Sequence, residues 1–390
     1  MSHPIDIRKT RESLVCSWCN LAVHTPQPGW EPGHAVYCPE HVILTKRHPF
    51  VVGQTAIDQA EWLHEMPLAH LMRWPWASLH EFAGALVPGR VTYVCAFPGG
   101  GKTTFLTQCL ASWVAQGFRV SYLPLESDLG EVYTRMACHQ LGINADDSLS
   151  LRLRERAELM GDADAARDVA RLTALYRALR TEREYMERFC IEPIDALSPQ
   201  SFSRAISAAR ALETDILVVD HVDHVEGEAD DYSPEIKLSN QLQTLALRAA
   251  KSLNIPVVLA SQLNSSRTGG DHLAHYRPPL ADWMFNKGKK EQIGAQILGL
   301  YRPQDPNADQ EIVRRVRAGA AEPWRIALPN RMGITGMKMR FGGANKGRTL
   351  HLDFTNGLLS DLPDDARRDA QALKHGIRTA DAPSMFGGAN

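Results

Sequence analysis

The stretch that decides the fold reads Ala96-Phe97-Pro98-Gly99-Gly100-Gly101-Lys102-Thr103-Thr104. It follows an apolar run, Val91 to Cys95, and precedes a segment with helical apolar spacing that starts at Phe105. A strand, a glycine-rich loop and a helix in this order form the context of a phosphate-binding P-loop. Glycines let successive backbone N–H groups point at one anion, and the helix N-terminus adds partial positive charge. The pattern predicts a nucleotide site; the alternative is a glycine-rich turn before a buried helix.

Two side chains of this loop have the chemistry that a bound nucleoside triphosphate requires. Lys102 is expected to reach the β- and γ-phosphates of ATP, and Thr103 is expected to hold Mg²⁺. The residues expected to bind the nucleotide are Ala96, Pro98, Gly99, Gly100, Gly101, Lys102, Thr103 and Thr104. Ala96 replaces the usual first glycine, a small departure because three glycines follow it.

Length and composition set the class of protein. The chain has 390 residues, of which 44% are hydrophobic and 23% charged, as in soluble proteins of two or three domains. The net charge of −2 does not signal nucleic acid, so such a site would need a local basic patch. No apolar run is long enough to span a membrane, and the N-terminus lacks the apolar core of a signal peptide. Seven cysteines, an odd number, favour a reducing cytoplasm.

Composition divides the chain into four regions. They are a small module rich in Pro, His and Cys, a linker helix, a core and a mobile tail, at residues 1–55, 56–72, 73–360 and 361–390. In the core, apolar segments alternate with helical patterns, which predicts an α/β fold with a mainly parallel sheet. The expected parallel strands are 90–96, 119–125, 216–219, 256–260 and 296–301. A C-terminal β-hairpin is expected from 336–341 and 349–354, and a solvated, charged helical stretch over 151–189.

Three strand ends carry polar residues suited to nucleotide chemistry. Asp220 ends the apolar run Ile216 to Val219 at the ligand edge of the sheet, so it is the candidate to hold Mg²⁺, directly or through water. Glu126 follows the second strand and could orient and deprotonate the water that attacks the γ-phosphate. Gln262 ends the fourth strand and could sense the γ-phosphate with its amide. Each could instead be an ordinary polar residue that starts a turn or caps a helix.

The order of these motifs resembles the RecA-like core of DnaB-type replicative helicases. After its P-loop, that family has strands ending in Glu and Asp and then a Ser-Gln-Leu-Asn block, matched here by Glu126, Asp220 and Ser261-Gln262-Leu263-Asn264. The family's final Lys-x-Arg-x-Gly block is matched by Lys338-Met339-Arg340-Phe341-Gly342. Further segments similar to family blocks are 74–90, 277–292 and 300–302. The resemblance covers roughly residues 73–355 and implies a RecA-like fold.

The resemblance also implies an activity and an assembly. DnaB-type helicases use ATP to translocate on single-stranded DNA and to unwind duplex during replication, in a ring expected here to be a hexamer. In the family, the Lys and Arg of the final block project into the neighbour's nucleotide site, so Arg340 would be an arginine finger and Lys338 its companion. A primase or another replisome protein is the expected partner. The family's large helical N-terminal domain has no counterpart here, which is typical of a helicase from a bacteriophage or mobile element.

Two other functions stay open on the sequence. The Lys-Met-Arg-Phe-Gly block also resembles that of RadA-like branch-migration ATPases, which carry an N-terminal zinc motif as well. The second alternative is a nucleotide-switched loader that hydrolyses ATP without unwinding DNA. DNA-stimulated hydrolysis with strand displacement would separate a helicase from a loader.

Two basic loops are candidates for contact with DNA in the channel of the ring. Sequence-independent binding of a single strand needs cations aimed at phosphates. The loop 264–270 follows Gln262 and carries Arg267. The second loop, 286–290, carries Lys287, Lys289 and Lys290. Either could be an ordinary exposed loop.

The N-terminal module carries a pattern of metal ligands. Cys16-x-x-Cys19 is followed by Cys38-x-x-His41, and two such pairs can hold Zn²⁺ tetrahedrally. A module of this size has little core of its own, so bound zinc would supply the stability it lacks. Another histidine of the module in place of His41, free cysteines in a disordered arm, or a disulfide are the alternatives.

Overall fold

This computed structural model describes residues 14–15, 22–23, 71–125, 127–181, 188–191, 198–223, 234–264, 268, 273–284, 287–305, 307–318, 320–321, 323–328, 330–340, 347–353 and 357–362. The chain divides into two compact units. The unit formed by residues 1–71 and 251–254 contains two short strands, β1 (Leu14–Val15) and β2 (Ala22–Val23), which pair antiparallel. The other unit, residues 72–250 and 255–390, contains the large sheet and the candidate site.

The large sheet has nine strands in the order β11-β10-β9-β8-β3-β7-β6-β4-β5. They are β3 (Val91–Ala96), β4 (Val120–Pro124), β5 (Phe189–Ile191), β6 (Ile216–Asp220), β7 (Val257–Gln262), β8 (Gly294–Tyr301), β9 (Arg331–Met339), β10 (Gly347–Asp353) and β11 (Leu358–Ser360). The strands from β8 to β5 run parallel, whereas β9, β10 and β11 are antiparallel to their neighbours. The expected α/β class with a mainly parallel sheet is confirmed.

Helices connect the parallel strands. The described helices are α1 (Ala77–Ala83), α2 (Lys102–Ala115), α3 (Leu129–Leu141), α4 (Ala145–Leu149), α5 (Arg152–Leu159), α6 (Ala163–Thr181), α7 (Pro199–Ala211), α8 (Pro234–Leu253), α9 (Lys287–Ile293) and α10 (Gln310–Arg317). Local sequence fixes their ends: Asp128 caps α3 and Gly142 closes it at φ 68°, while Ser198 forms a capping box with Ser201 ahead of α7. Apolar strands such as β3 and β6 are buried along their whole length, as central strands of a parallel sheet are.

The end of the described chain is fastened to its entry segment. Trp76 donates its indole N–H to the carbonyl of Leu359 at 2.8 Å, and Asp361 accepts hydrogen bonds from the first turn of α1. Trp76 also packs against Phe105 of α2, with ring centroids 4.9 Å apart. These contacts hold β11 and α1 over the helix that follows the P-loop.

The strand predictions are confirmed with ends shifted by up to two residues, and the C-terminal hairpin is present as β9 and β10. The charged stretch 151–189 contains α5 and α6, as expected, but it ends in β5, which was not predicted. The segment 286–290 was predicted to be a loop, and this prediction is wrong from Lys287 onward, where α9 begins. The turn at 342–345, the linker helix up to residue 70 and the tail beyond 362 lie outside the described residues.

Candidate active site

The glycines of the P-loop are required by its backbone. Gly99 and Gly101 have φ of 68° and 84°, in the left-handed region where a side chain is strained. A Cβ on Gly100 would lie 2.9 Å from the carbonyl oxygen of Phe97, which accepts a hydrogen bond from the Gly100 N–H. The loop therefore keeps its backbone bare where it leads into α2. This is the geometry that an anion-binding loop at a helix N-terminus needs.

Register brings the candidate residues to one edge of the sheet. Ala96, the last residue of β3, pairs with Gln262 at the end of β7. On the far side of β7, β6 ends at Asp220, which pairs with Pro124 of β4. Neighbouring strands lie about 4.8 Å apart, so the P-loop, Gln262 and Asp220 share the carboxyl edge of the sheet. Glu126, two residues beyond Pro124, lies outside the described residues.

Asp220 is a buried carboxylate, with 3% of the residue exposed. The Tyr122 hydroxyl donates to its Oδ2 at 3.1 Å, and its own carbonyl accepts from the Leu125 N–H at 2.7 Å. A buried carboxylate is costly unless hydrogen bonds or a cation compensate it. A carboxylate at this edge and the Thr103 hydroxyl in the first turn of α2 are the oxygen ligands that Mg²⁺ prefers. The residues present therefore fit this ion.

An aromatic contact joins the P-loop to the segment that follows β7. The ring of Phe97 is 3% exposed and stacks on His275, with centroids 4.1 Å apart and planes 18° apart. Trp283 packs against the same ring at 5.6 Å. Burial lowers the pKa of His275, which favours the neutral imidazole in this stack. Sequence reasoning missed this contact, because nothing local relates residues almost 200 positions apart.

Lys290 was predicted to contact DNA, and the structure corrects that prediction. Its side chain is fully buried, and its ammonium lies 2.8 Å from Oδ1 of Asp223. A cation held in this way is not presented to a phosphate on the surface. Asp223, three residues after Asp220, was not recognised from the sequence.

The other lysines of α9 are accessible. The Lys287 ammonium pairs with the exposed carboxylate of Asp282, and this partner raises the pKa of Lys287. Lys289 is half-buried. Arg267, the remaining DNA-contact candidate, lies outside the described residues.

Lys338 and Arg340 lie at the opposite edge of the sheet. Met339 pairs with Gln296 near the start of β8, whereas Ala96 pairs with Leu300 near its end. These two levels are four residues apart, about 13 Å along the strand. Lys338 donates its ammonium to the carbonyl of Glu291, and burial together with nearby Arg340 lowers the pKa of Lys338.

Arg340 differs from Lys338 in its exposure. Its side chain is exposed, and its backbone N–H donates to the carbonyl of Ala295 at 2.8 Å. The backbone of Arg340 is thus fixed to the sheet, while its guanidinium is accessible from outside the subunit.

The predicted zinc ligands Cys16, Cys19, Cys38 and His41 lie outside the described residues. Among the residues that are described, no three His, Cys, Asp or Glu side chains group as metal ligands would. None of the described helices is long and apolar enough to cross a membrane.

Comparison with known families identifies the chain. The family model for the DnaB-like helicase C-terminal domain matches residues 75–343, which is more than half of the chain. The chain therefore belongs to the DnaB-like helicase C-terminal domain family, and the resemblance found in the sequence is confirmed. Its α/β sheet is the RecA-like fold expected of that family. No curated protein matches the chain.

Solved structures share the fold. A DnaB-like replicative helicase, described with its interactions with primase, superposes with a TM-score of 0.58 at 16% identity, over 80% of this chain and 67% of the other. A second solved structure, an isolated ATPase domain, gives 0.58 at 17% identity, over 79% and 98% of the two chains. The RadB recombinase gives 0.43 at 15% identity, over 75% and 100%. At these identities the first two similarities concern the fold alone.

Proposed function

We propose that this chain is an ATP-dependent, ring-forming DNA helicase that translocates on single-stranded DNA and unwinds duplex during replication. The observation that carries the proposal is the carboxyl edge of the sheet, where register places the P-loop, Gln262 and Asp220 side by side. Family membership supports the same function. The fold alone would not, because similar folds serve many activities.

The chain's own residues divide the work of ATP hydrolysis. The P-loop amides and Lys102 bind and orient the phosphates, while Thr103 and Asp220 hold Mg²⁺, which neutralises charge developing between the phosphates. Glu126 would take a proton from the attacking water, and Gln262 would contact the γ-phosphate.

A second copy of the chain would complete the site. Lys338 and Arg340 lie about 13 Å from the P-loop level along the strand direction, so they cannot serve the site of their own subunit without large movement. The exposed guanidinium of Arg340 suits a role at a neighbour's γ-phosphate. We propose a ring, expected to be a hexamer, in which each site lies between two subunits.

Contact with DNA is assigned to Arg267, Lys287 and Lys289, and Lys290 is excluded because it is buried. The segment that carries them runs from Gln262 to α9, so nucleotide state at the sensor could move it. A primase is a candidate partner, by analogy with the solved DnaB-like helicase described with primase.

An unwinding assay on a forked duplex tests the function. The full-length protein with ATP and Mg²⁺ is expected to displace the labelled strand, and Lys102→Ala is expected not to. Hydrolysis stimulated by DNA without strand displacement would contradict the helicase proposal and favour a loader. Absence of any ATP turnover would overturn the nucleotide site itself.

A further inference from the structure

A buried ion pair joins three segments behind the candidate site. The Lys290 ammonium lies 2.8 Å from Oδ1 of Asp223 and 2.6 Å from the Ser261 hydroxyl. The other carboxylate oxygen of Asp223 accepts a hydrogen bond from Ser261 at 2.7 Å and one from the backbone N–H of Gln262 at 2.8 Å. The loop after β6, the end of β7 and α9 are thereby tied together at one carboxylate.

Stability alone does not explain this pair. Lys290 is fully buried and the Asp223 side chain is 9% exposed, so both charges lose most of their hydration. The attraction between two buried charges often does no more than offset that loss, and apolar side chains of similar volume serve a core at least as well. Burial would raise the pKa of the Asp223 carboxyl, but Lys290 and the hydrogen bonds outweigh it and hold that pKa below its ordinary value.

The position of the pair suggests what it does. Asp223 grips the backbone of Gln262, the residue that pairs with Ala96 at the mouth of the P-loop. Because Ser261 and Lys290 both bond to the same carboxylate, its orientation is fixed from two sides. A fixed N–H at residue 262 fixes the direction in which that side chain leaves the strand.

We propose that Asp223 and Lys290 are positioning residues that hold Gln262 in the orientation needed to contact the γ-phosphate. The inference rests on the proposed function, in which Gln262 is the phosphate sensor. Neither side chain of the pair contacts nucleotide; Lys290 orients Asp223, and Asp223 holds the Gln262 amide. The chemistry that depends on them is discrimination of a nucleoside triphosphate from its diphosphate.

Two double variants of the full-length chain separate positioning from packing. Asp223→Leu/Lys290→Met removes both charges and the acceptor for the Gln262 N–H. Asp223→Asn/Lys290→Met also removes both charges, but the amide oxygen of Asn can still accept that hydrogen bond. Steady-state ATP turnover and binding of fluorescent ATP and ADP analogues are measured for both. Circular dichroism and thermal melting check that each variant folds; if the Leu variant does not, Asp223→Ala/Lys290→Met replaces it.

The expected results differ between the pair of variants. The Leu/Met variant should lose at least about tenfold in kcat and most of its preference for ATP over ADP, with ADP affinity within about twofold of wild type. The Asn/Met variant should stay within about threefold of wild-type kcat. A folded Leu/Met variant with wild-type kcat and wild-type preference for ATP would overturn the proposal.

A double-mutant cycle with Gln262→Ala tests the route of the effect. If the pair acts through Gln262, the Leu/Met substitutions should cause no further loss of kcat when Gln262 is already Ala. A loss of the same size in both backgrounds would show that the pair acts elsewhere, against the proposal. Wild-type turnover that is lost in Lys102→Ala reports on the proposed function separately, so the two failures are distinguishable.

Discussion

The carboxyl and amino edges of the same sheet carry functional candidates of different kinds. At the carboxyl edge, bare backbone amides of the P-loop, the buried Asp220 and Gln262 converge on one place. At the amino edge, the candidates are the ammonium of Lys338 and the exposed guanidinium of Arg340, with no glycine loop or helix N-terminus among the described residues beside them. The first edge is built to hold a nucleotide, and the second to reach one held elsewhere.

The two edges are not independent. The helix α9 carries Lys290, which is tied to Asp223 and the sensor strand, and the adjacent carbonyl of Glu291 accepts from Lys338. One short helix thus bonds to elements of both edges through consecutive residues. A displacement of β7 during hydrolysis has a direct physical route to the strand that ends at Arg340.

The largest expected effect is at the carboxyl edge. Lys102→Ala should abolish ATP turnover, because the β- and γ-phosphates lose the cation of the P-loop. Phosphate release measured with saturating ATP and single-stranded DNA checks this. Arg154→Ala, an exposed residue of α5 paired only along its own helix with Glu158, is the matched control and should hydrolyse ATP like wild type. Near-wild-type turnover in Lys102→Ala would remove the distinction between the edges.

At the amino edge, Arg340→Ala should lower turnover by roughly 10³-fold while nucleotide affinity stays largely intact, on the scale of a trans-acting arginine. Mixing Arg340→Ala with Lys102→Ala subunits should restore part of the activity, since some interfaces then combine an intact P-loop with an intact Arg340. Turnover is measured across mixing ratios. If no ratio restores activity, the two edges do not meet between subunits.

Sequence predicted the carboxyl edge well because its signals are local. The glycines, Asp220 and Gln262 each stand at the end of an apolar run, and parallel strands bring such ends together. Helix or strand could be read for each segment from its own residues. Even the order of motifs along the chain carried information, since it led to the family.

What sequence missed depends on contacts between distant segments. The lysines of 286–290 look alike as a run, yet Lys290 is buried against Asp223, 67 residues away, while Lys287 pairs at the surface. The stack of Phe97 on His275 and the short strand β5 likewise have no local pattern of their own. Tertiary packing decided each of these, and the resemblance to a family was silent about them.

A smaller effect is expected for the lysines of α9 that remain accessible. Lys289→Ala should reduce the slope of log affinity for single-stranded DNA against log salt by about 0.7, one phosphate contact. Lys287→Ala should change the slope less, because Asp282 already neutralises that ammonium. Fluorescence anisotropy with an oligothymidine at several salt concentrations measures both, and Arg154→Ala serves as the control. Equal slopes in all four proteins would exclude α9 from the DNA contact.

The smallest effect on turnover is expected farthest from both edges along the chain, in residues 1–55. We predict that this module binds one Zn²⁺ through Cys16, Cys19, Cys38 and His41, since thiolate and imidazole ligands suit zinc. Cys16→Ser/Cys19→Ser should lose the metal yet keep ATP turnover within about twofold, because every motif assigned to the nucleotide follows residue 95. Metal analysis of protein never exposed to chelator decides the assignment. Less than about half an equivalent of zinc per wild-type chain would refute it, whereas loss of turnover with the metal would connect the module to the ATPase cycle.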